Sequence, residues 1–444
     1  MTVQIDSKAQ GHERTPGGRV APRLLVIAPQ PFFMTRGTPL NVRALVRALV
    51  EEGYRPDLLV YPLGEKISIP GVRIYRSLRL PGVKSVPIGP SATKILLDVF
   101  LFFTALRLVV FHRYAALHGV EEGGFMAAVL AWISGVPFVY DMDSCMVRQL
   151  CDKRMLPFSW LRRFARASEA TLIRRADAVL TVCRALTEKA AEFTTIDRIF
   201  QAEDFPVEGS SAPRMQLLES LREQYALSEE VKVIVYTGNF ETYQGVELLL
   251  QSIALLKKEH HIGPFKLFLV GGGKKGERCF DNVSRLVRSL NVEENVVFTG
   301  TRPADEMGTY MALADVLVSP RMQGDNTPLK IYSYMASGRP IVATAIGTHT
   351  QVLSSETAFL SDITADSFAA QLARALDTSP FGAMRVRKVT ENSARLIETR
   401  YNYNEFRSQV GRMYAQVLGR KQLAVLTSLP GRVLSGENAG VSGE

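Results

Sequence analysis

Lys330 stands two residues after Pro328, behind the loop Gly324-Asp325-Asn326-Thr327, at the start of a predicted helix. Lysine is a poor choice for balancing the dipole at a helix start, but an ammonium beside the free N–H groups of a first helical turn suits a diphosphate. The bland alternative for a single lysine is a solvated side chain. A second place is Asp141-Met142-Asp143, which closes one short apolar run, as His118 closes another. Two carboxylates one residue apart at a strand end share a face and could hold a divalent metal, although the sequence supplies no further ligand beside them. A third is the turn-rich segment from Pro29 to Gly37, followed by Thr38. Its lone glycine is no GxGxxG, so a dinucleotide fingerprint is excluded.

The elements that must position these residues alternate strand, loop and helix. Val316 to Val318 reads as a buried parallel strand, with a helix from near Pro328 to Ser337-Gly338, Pro340 as a stop and Ile341 to Thr344 as the next strand. Leu24–Ala28, Asp57–Tyr61, Tyr114–Gly119, Val136–Tyr140 and Ala176–Val182 read as strands of a first half; Val231–Tyr236, Lys266–Val270 and Asn295–Thr301 belong to a second. Loops at the carboxyl ends of such strands gather on one edge of a doubly wound sheet. The predicted class is α/β, with a polar, disordered tail over 1–20, a first domain over 21–208, a Gly/Ser/Pro linker over 209–229 and a second domain over 230–400.

The frame Pro328-Leu329-Lys330-x-x-x-Tyr334-Met335-Ala336-x-Gly338-x-Pro340-Ile341-Val342-Ala343 resembles the signature of family 4 glycosyltransferases. These are retaining enzymes of the GT-B architecture, two facing Rossmann-like domains with a deep cleft. The resemblance implies a nucleoside diphosphate sugar as donor substrate, no metal or other cofactor, and a helix over 401–420 that crosses back onto the first domain, leaving 421–444 as a loose tail. In the family a Glu-x7-Glu motif holds the donor; its first glutamate falls on Asp325 and its second, the ribose ligand, on Ser333. Where the family places Arg and Lys to grip the diphosphate, this chain has Asn239 and Gln244 beside Gly238, so Lys330, Arg321 and Arg36 are the available cations. By the same resemblance Gly37 and Thr38 approach the donor phosphates or the acceptor, the loop of Arg302 cradles the base, and Asn326 and Thr327 line the donor loop. Asp143 takes the place of a histidine that contacts the sugar near the reacting carbon. The implied catalytic set is Asp143, His118 and Asp325.

Composition sets the remaining bounds. At 444 residues and 46% hydrophobic residues the chain has material for two cores. Four cysteines without metal or redox spacing, and a polar amino terminus without an apolar stretch, point to a reduced cytoplasmic setting. The net charge of +9 favours an anionic partner. No helix-turn-helix, zinc-finger or RNP pattern accompanies it, which argues against nucleic acid. Two basic stretches, Gly71–Lys94 and Lys153–Arg175, carry or adjoin apolar and aromatic residues. Ile95–Phe111, interrupted by Asp98 and Arg107, is short for a span and reads either as a core helix or as membrane-contacting. The expectation is a hexosyltransferase lying on the inner face of the cytoplasmic membrane and serving a lipid or glycan acceptor. A nucleotide-sugar epimerase and a catalytically silent binding relative are the alternatives.

Overall fold

The computed structural model describes residues 4–5, 21–34, 37–80, 82–83, 91–147, 158–207, 212–259, 262–324 and 326–428. Arg36, Lys84, Cys151 and Asp325 lie outside the described residues.

The first sheet contains β1 (Gln4–Ile5), β2 (Arg23–Ala28), β3 (Arg55–Val60), β4 (Arg73–Arg76), β5 (Ala116–Val120), β6 (Phe138–Met142), β7 (Ala178–Thr181) and β8 (Ile199–Gln201), in the order β1-β4-β3-β2-β5-β6-β7-β8. All neighbours are parallel except β1, which pairs antiparallel with β4. Both faces are covered, which is why the strands read as continuous apolar runs. Leu25, Ile27 and Leu117 face Leu97, Leu101 and Leu108 of the helix Ala92–Phe111. Leu24, Val26 and Ala116 face Val42 and Leu45 of the helix Gly37–Glu51, together with Val410 and Met413 of the last helix, Tyr403–Ser428.

The second sheet contains β9 (Lys232–Gly238), β10 (Phe265–Gly271), β11 (Val296–Gly300), β12 (Val316–Ser319), β13 (Ile341–Thr344) and β14 (Phe359–Ser361), ordered β11-β10-β9-β12-β13-β14 and parallel throughout. In each sheet one strand has its sequence successor on one side and a later strand on the other: β2 between β3 and β5, β9 between β10 and β12. Such switch points open a crevice outside the strands' carboxyl ends, and the loops after β2, β5, β9 and β12 border the two crevices.

Several elements differ from the sequence reading. The stretch read as linker contains the helix Met215–Gln224, and the first sheet carries one strand, β8, beyond the expected last one. Within the stretch read as a tail, Gln4–Ile5 pairs with Tyr75 and Arg76. The last helix runs to Ser428, past the expected end at 420, because nothing in Lys421–Ser428 breaks it. Ile95–Phe111 belongs to one helix that packs by a single stripe, Leu97, Leu101, Ala105 and Leu108, while Ile95, Leu96, Phe103 and Phe111 are exposed. Neither it nor any other described helix is long and apolar enough to cross a membrane.

Candidate functional site

The helix Leu329–Ala336 starts after Pro328, so Lys330 falls in its first turn. The side chain does not extend into solvent. Its Nζ donates to the carbonyl oxygen of Thr237 at the end of β9 (3.0 Å) and sits 4.2 Å from the centroid of the Tyr236 ring. Burial, and then the nearby Arg321 guanidinium, push its pKa down to about 7. Gly238 makes this approach feasible: it holds φ at 143°, and a Cβ there would lie 2.9 Å from the Tyr236 hydroxyl and 3.4 Å from Lys330 Nζ. Gly245 does the same where β9's loop meets β12's, with a φ of 72° and the Pro320 carbonyl oxygen 1.9 Å from where a Cβ would be.

Behind Lys330 lies a network absent from the sequence reading. His349, fully buried, donates from Nδ1 to the Thr344 carbonyl (2.8 Å), so Nε2 is left to accept from Ser319 Oγ (2.9 Å). Burial, with Lys330 and Arg321 nearby, lowers its pKa to about 3, and it is neutral at physiological pH. The Thr344 hydroxyl donates to the Arg321 carbonyl, whose own side chain bonds the Gln323 carbonyl (2.7 Å). Tyr334 closes the other side, its hydroxyl accepting from Thr237 N (2.9 Å). Nothing local in Gly347-Thr348-His349-Thr350 signals this arrangement; it depends on β12 and β13 being adjacent.

The donor candidates fall into two groups. Lys330, Gly238, Thr327 and Asn326 share the edge formed after β9 and β12. Thr327 is buried and accepts from Gln351 Nε2 (2.8 Å), and Gln351 Oε1 in turn accepts from Ala185 N of the first domain (3.4 Å). Asn239 is exposed, and Gln244 is partly buried with its Oε1 lacking a hydrogen-bond partner among the described residues. Arg302 is exposed on the loop after β11, with two strands, β10 and β9, between it and the strand that leads to Lys330. Ser333 is turned into the joint between domains, where its hydroxyl accepts from Val207 N (3.4 Å). Gly37 opens the helix Gly37–Glu51, and a Cβ on it would stand 4.0 Å from Leu329 Cδ1, so the two loop–helix starts face each other across the domain boundary. Thr38 follows in the same turn, partly buried.

The first domain presents carboxylates. Asp143, just beyond β6, is buried, and desolvation together with Asp141, Glu121 and Asp204 raises its pKa well above the usual carboxylate range. Desolvation also lifts Glu121 and Asp204 to about 7 each, Glu121 with Glu122 adding, Asp204 with an opposing hydrogen bond from Asn41. Asp141 Oδ2 accepts from His118 Nε2 (3.0 Å), while its Oδ1 is buried without a hydrogen-bond partner among the described residues. The imidazole Nδ1 then accepts from the Tyr414 hydroxyl (3.0 Å). His118, expected in the catalytic set, is fully buried with both nitrogens engaged, and it joins β5 and β6 to the last helix. Among the described residues no three His, Cys, Asp or Glu side chains are grouped to hold a metal ion.

Residues 36–199 match the model of a glycosyl transferase 4-like domain, and residues 231–378 match that of glycosyl transferases group 1. The chain belongs to the group 1 glycosyltransferases. Among relatives in this family, the Bacillus subtilis protein YtcC is 24% identical over 51% of this chain and 58% of its own length. The GDP-mannose-dependent alpha-(1-6)-phosphatidylinositol monomannoside mannosyltransferase of Mycolicibacterium smegmatis is 31% identical over 30% of this chain and 34% of its own. The chain thus matches from a third to little more than half the length of these group 1 relatives. Sucrose-phosphate synthase from Thermosynechococcus elongatus superimposes with a TM-score of 0.69 at 19% identity, over 91% of this chain and 100% of that one. The architecture is GT-B.

Proposed function

We propose that this chain is a retaining hexosyltransferase that moves a hexose from a nucleoside diphosphate sugar to a lipid or glycan acceptor and needs no metal. The observation behind this reading is the seat of Lys330: a cation held among backbone groups at a helix start, kept poorly solvated until an anion arrives. A bound diphosphate would supply the missing charge. The sugar then lies toward the first domain, where Asp143 faces the positive charge that develops at the anomeric carbon. In a front-face route the bond from that carbon to the diphosphate oxygen breaks as the acceptor oxygen attacks the same face, and the acceptor proton passes to a phosphate oxygen. No protein nucleophile is required; positioning and charge stabilisation do the chemistry. Asp325, with Asn326 and Thr327, is assigned by the family resemblance to the sugar side of the donor. The name of the Mycolicibacterium relative couples a nucleotide sugar to a phosphatidylinositol-borne acceptor, which supports that acceptor class.

The test is calorimetric titration with UDP, GDP and ADP, followed by assay of the matching sugar nucleotides and NMR of the product's anomeric configuration. Inversion overturns the retaining mechanism. Turnover of the nucleotide sugar without acceptor makes the protein an epimerase, and failure to bind any nucleoside diphosphate makes it a silent binding relative.

A further inference from the structure

We propose that a three-helix face of the first domain docks on an anionic phospholipid bilayer. The helices Ala92–Phe111, Gly123–Ser134 and Ser159–Arg175 pack side by side over one face of the first sheet, away from the last helix. Each buries one stripe and exposes another that is also apolar: Phe103 and Phe111 on the first, Val129 and Trp132 on the second, Trp160 and Phe164 on the third. Trp132 is 81% exposed and Phe111 72%, which no folding requirement explains. Scattered surface apolar residues are ordinary; neighbouring helices that share them mark an interaction face.

The charges on these three helices select the occupant. Arg107, Arg162, Arg163, Arg166, Arg174 and Arg175 are exposed. The two carboxylates on these helices turn inward: Asp98 accepts from the Tyr61 hydroxyl, and Glu169 accepts from Lys189 (2.9 Å) and Met146 N (3.1 Å). A groove of about 750 Å³ runs between the second and third helices, walled by Phe125, Val129, Trp132, Phe164 and Leu172, with Arg175 beside it. Its one described carboxylate, Asp177, is held by Phe138 N (2.9 Å). That volume is in the range of small-molecule pockets and admits an acyl chain. A second copy docked by two-fold symmetry would set arginines against arginines with no carboxylate to answer them. A bilayer offers both anionic headgroups and an apolar layer, the two things an arginine-rich, aromatic-bearing helix face requires.

This assignment corrects the sequence reading of the basic stretch Gly71–Lys94. Arg76 is buried and donates to the carbonyl oxygens of Leu63 (3.0 Å) and Glu65 (2.8 Å), and Lys94 pairs with Glu122 (2.5 Å). The docking face is independent of the cleft, so its test needs no activity.

Both tryptophans of the chain, Trp132 and Trp160, lie on this face, so intrinsic fluorescence reports insertion directly. The full chain is mixed with phosphatidylcholine vesicles with and without phosphatidylglycerol, at low and high salt, with sedimentation and emission as readouts. Expected are binding and a blue shift with anionic vesicles only, weakened about tenfold or more at high salt by screening. Arg162→Glu with Arg163→Glu and Arg166→Glu, and separately Phe103→Ser with Trp132→Ser and Phe164→Ser, each weaken binding about tenfold or more with the melting temperature retained, because these side chains are exposed. Protein left in the supernatant with anionic vesicles at low salt overturns the proposal, as does binding that neither variant changes. A concentration-dependent dimer lost on Trp132→Ser, without vesicle binding, assigns the face to a second copy instead.

Discussion

The two sheet edges that border the cleft are electrostatic opposites. After β5, β6 and β8 the first domain gathers Glu121, Asp143 and Asp204, where desolvation raises each carboxyl and Glu121 and Asp204 raise Asp143 further; after β9 and β12 the second sets Lys330 beside Arg321, and the lysine is lowered. On each side the surroundings disfavour the charged form. A donor whose diphosphate is negative and whose reacting carbon becomes positive relieves both at once. The difference teaches that charge, more than shape, orients the donor in the proposed reaction.

The largest expected effect is on the acidic edge. Asp143→Asn lowers kcat about a hundredfold or more and leaves donor KM nearly unchanged, since the interaction strengthens only as the sugar becomes cationic. Its melting temperature stays level or rises, because the amide removes a carboxyl whose ionisation its surroundings disfavour. Activity that vanishes with a chelator and returns only with a divalent ion would reassign Asp141 and Asp143 to metal binding.

On the basic edge, Lys330→Ala weakens nucleoside diphosphate binding by about 1.5–3 kcal/mol, the scale of a hydrogen bond to a charged group. Calorimetry in buffers of different ionisation enthalpy should also show proton uptake on binding above pH 7, because the diphosphate raises the pKa of a lysine that starts near about 7. An unchanged dissociation constant removes Lys330 from the site.

Gly238→Ala tests how closely the two edges must be built. The φ of 143° and the Tyr236 hydroxyl 2.9 Å from the added Cβ lead to a loss of about 1–3 kcal/mol in stability by chemical denaturation. A neutral result would mean that the loop can shift away from Lys330.

The last contrast is a pair of opposite pH slopes, read by their sign. Carboxyls whose folded pKa is raised from 4.5 (Glu121) and 3.8 (Asp204) to about 7 add stability at low pH that is lost as pH rises through 7. Lys330, lowered from 10.5 to about 7, makes the fold less stable as pH falls from 10.5 through 7. Asp204→Asn therefore stabilises more at pH 8 than at pH 5, and Lys330→Met stabilises more at pH 6 than at pH 9. Equal effects across pH in either variant break the contrast between the edges.

Much of the fold was legible because a parallel sheet covered on both faces writes itself as apolar runs, as in Leu24–Ala28 and Val316–Val318. The start of the helix bearing Lys330 was legible from Pro328, although the proline stands at the N-cap, one residue before the first helical turn in which the sequence reading put it. Strand β8 escaped because Ile199-Phe200-Gln201 is too short to show a period, and Met215–Gln224 because the neighbouring Gly/Ser/Pro signal dominated the reading.

The sequence by itself determined the α/β class, the two-sheet organisation and the placement of Lys330 in a first helical turn, since each follows from neighbours along the chain. Only the tertiary structure decided that His118 is tied to Tyr414 and Asp141, that Asp204 lies near Asp143, that His349 supports the strand ends below Lys330, and that Arg76 is spent on buried carbonyls. It also decided which apolar residues of Ala92–Phe111 face water. The physical reason is that periodicity and capping act over one or two turns of chain, whereas desolvation and Coulomb terms depend on groups brought together from distant segments.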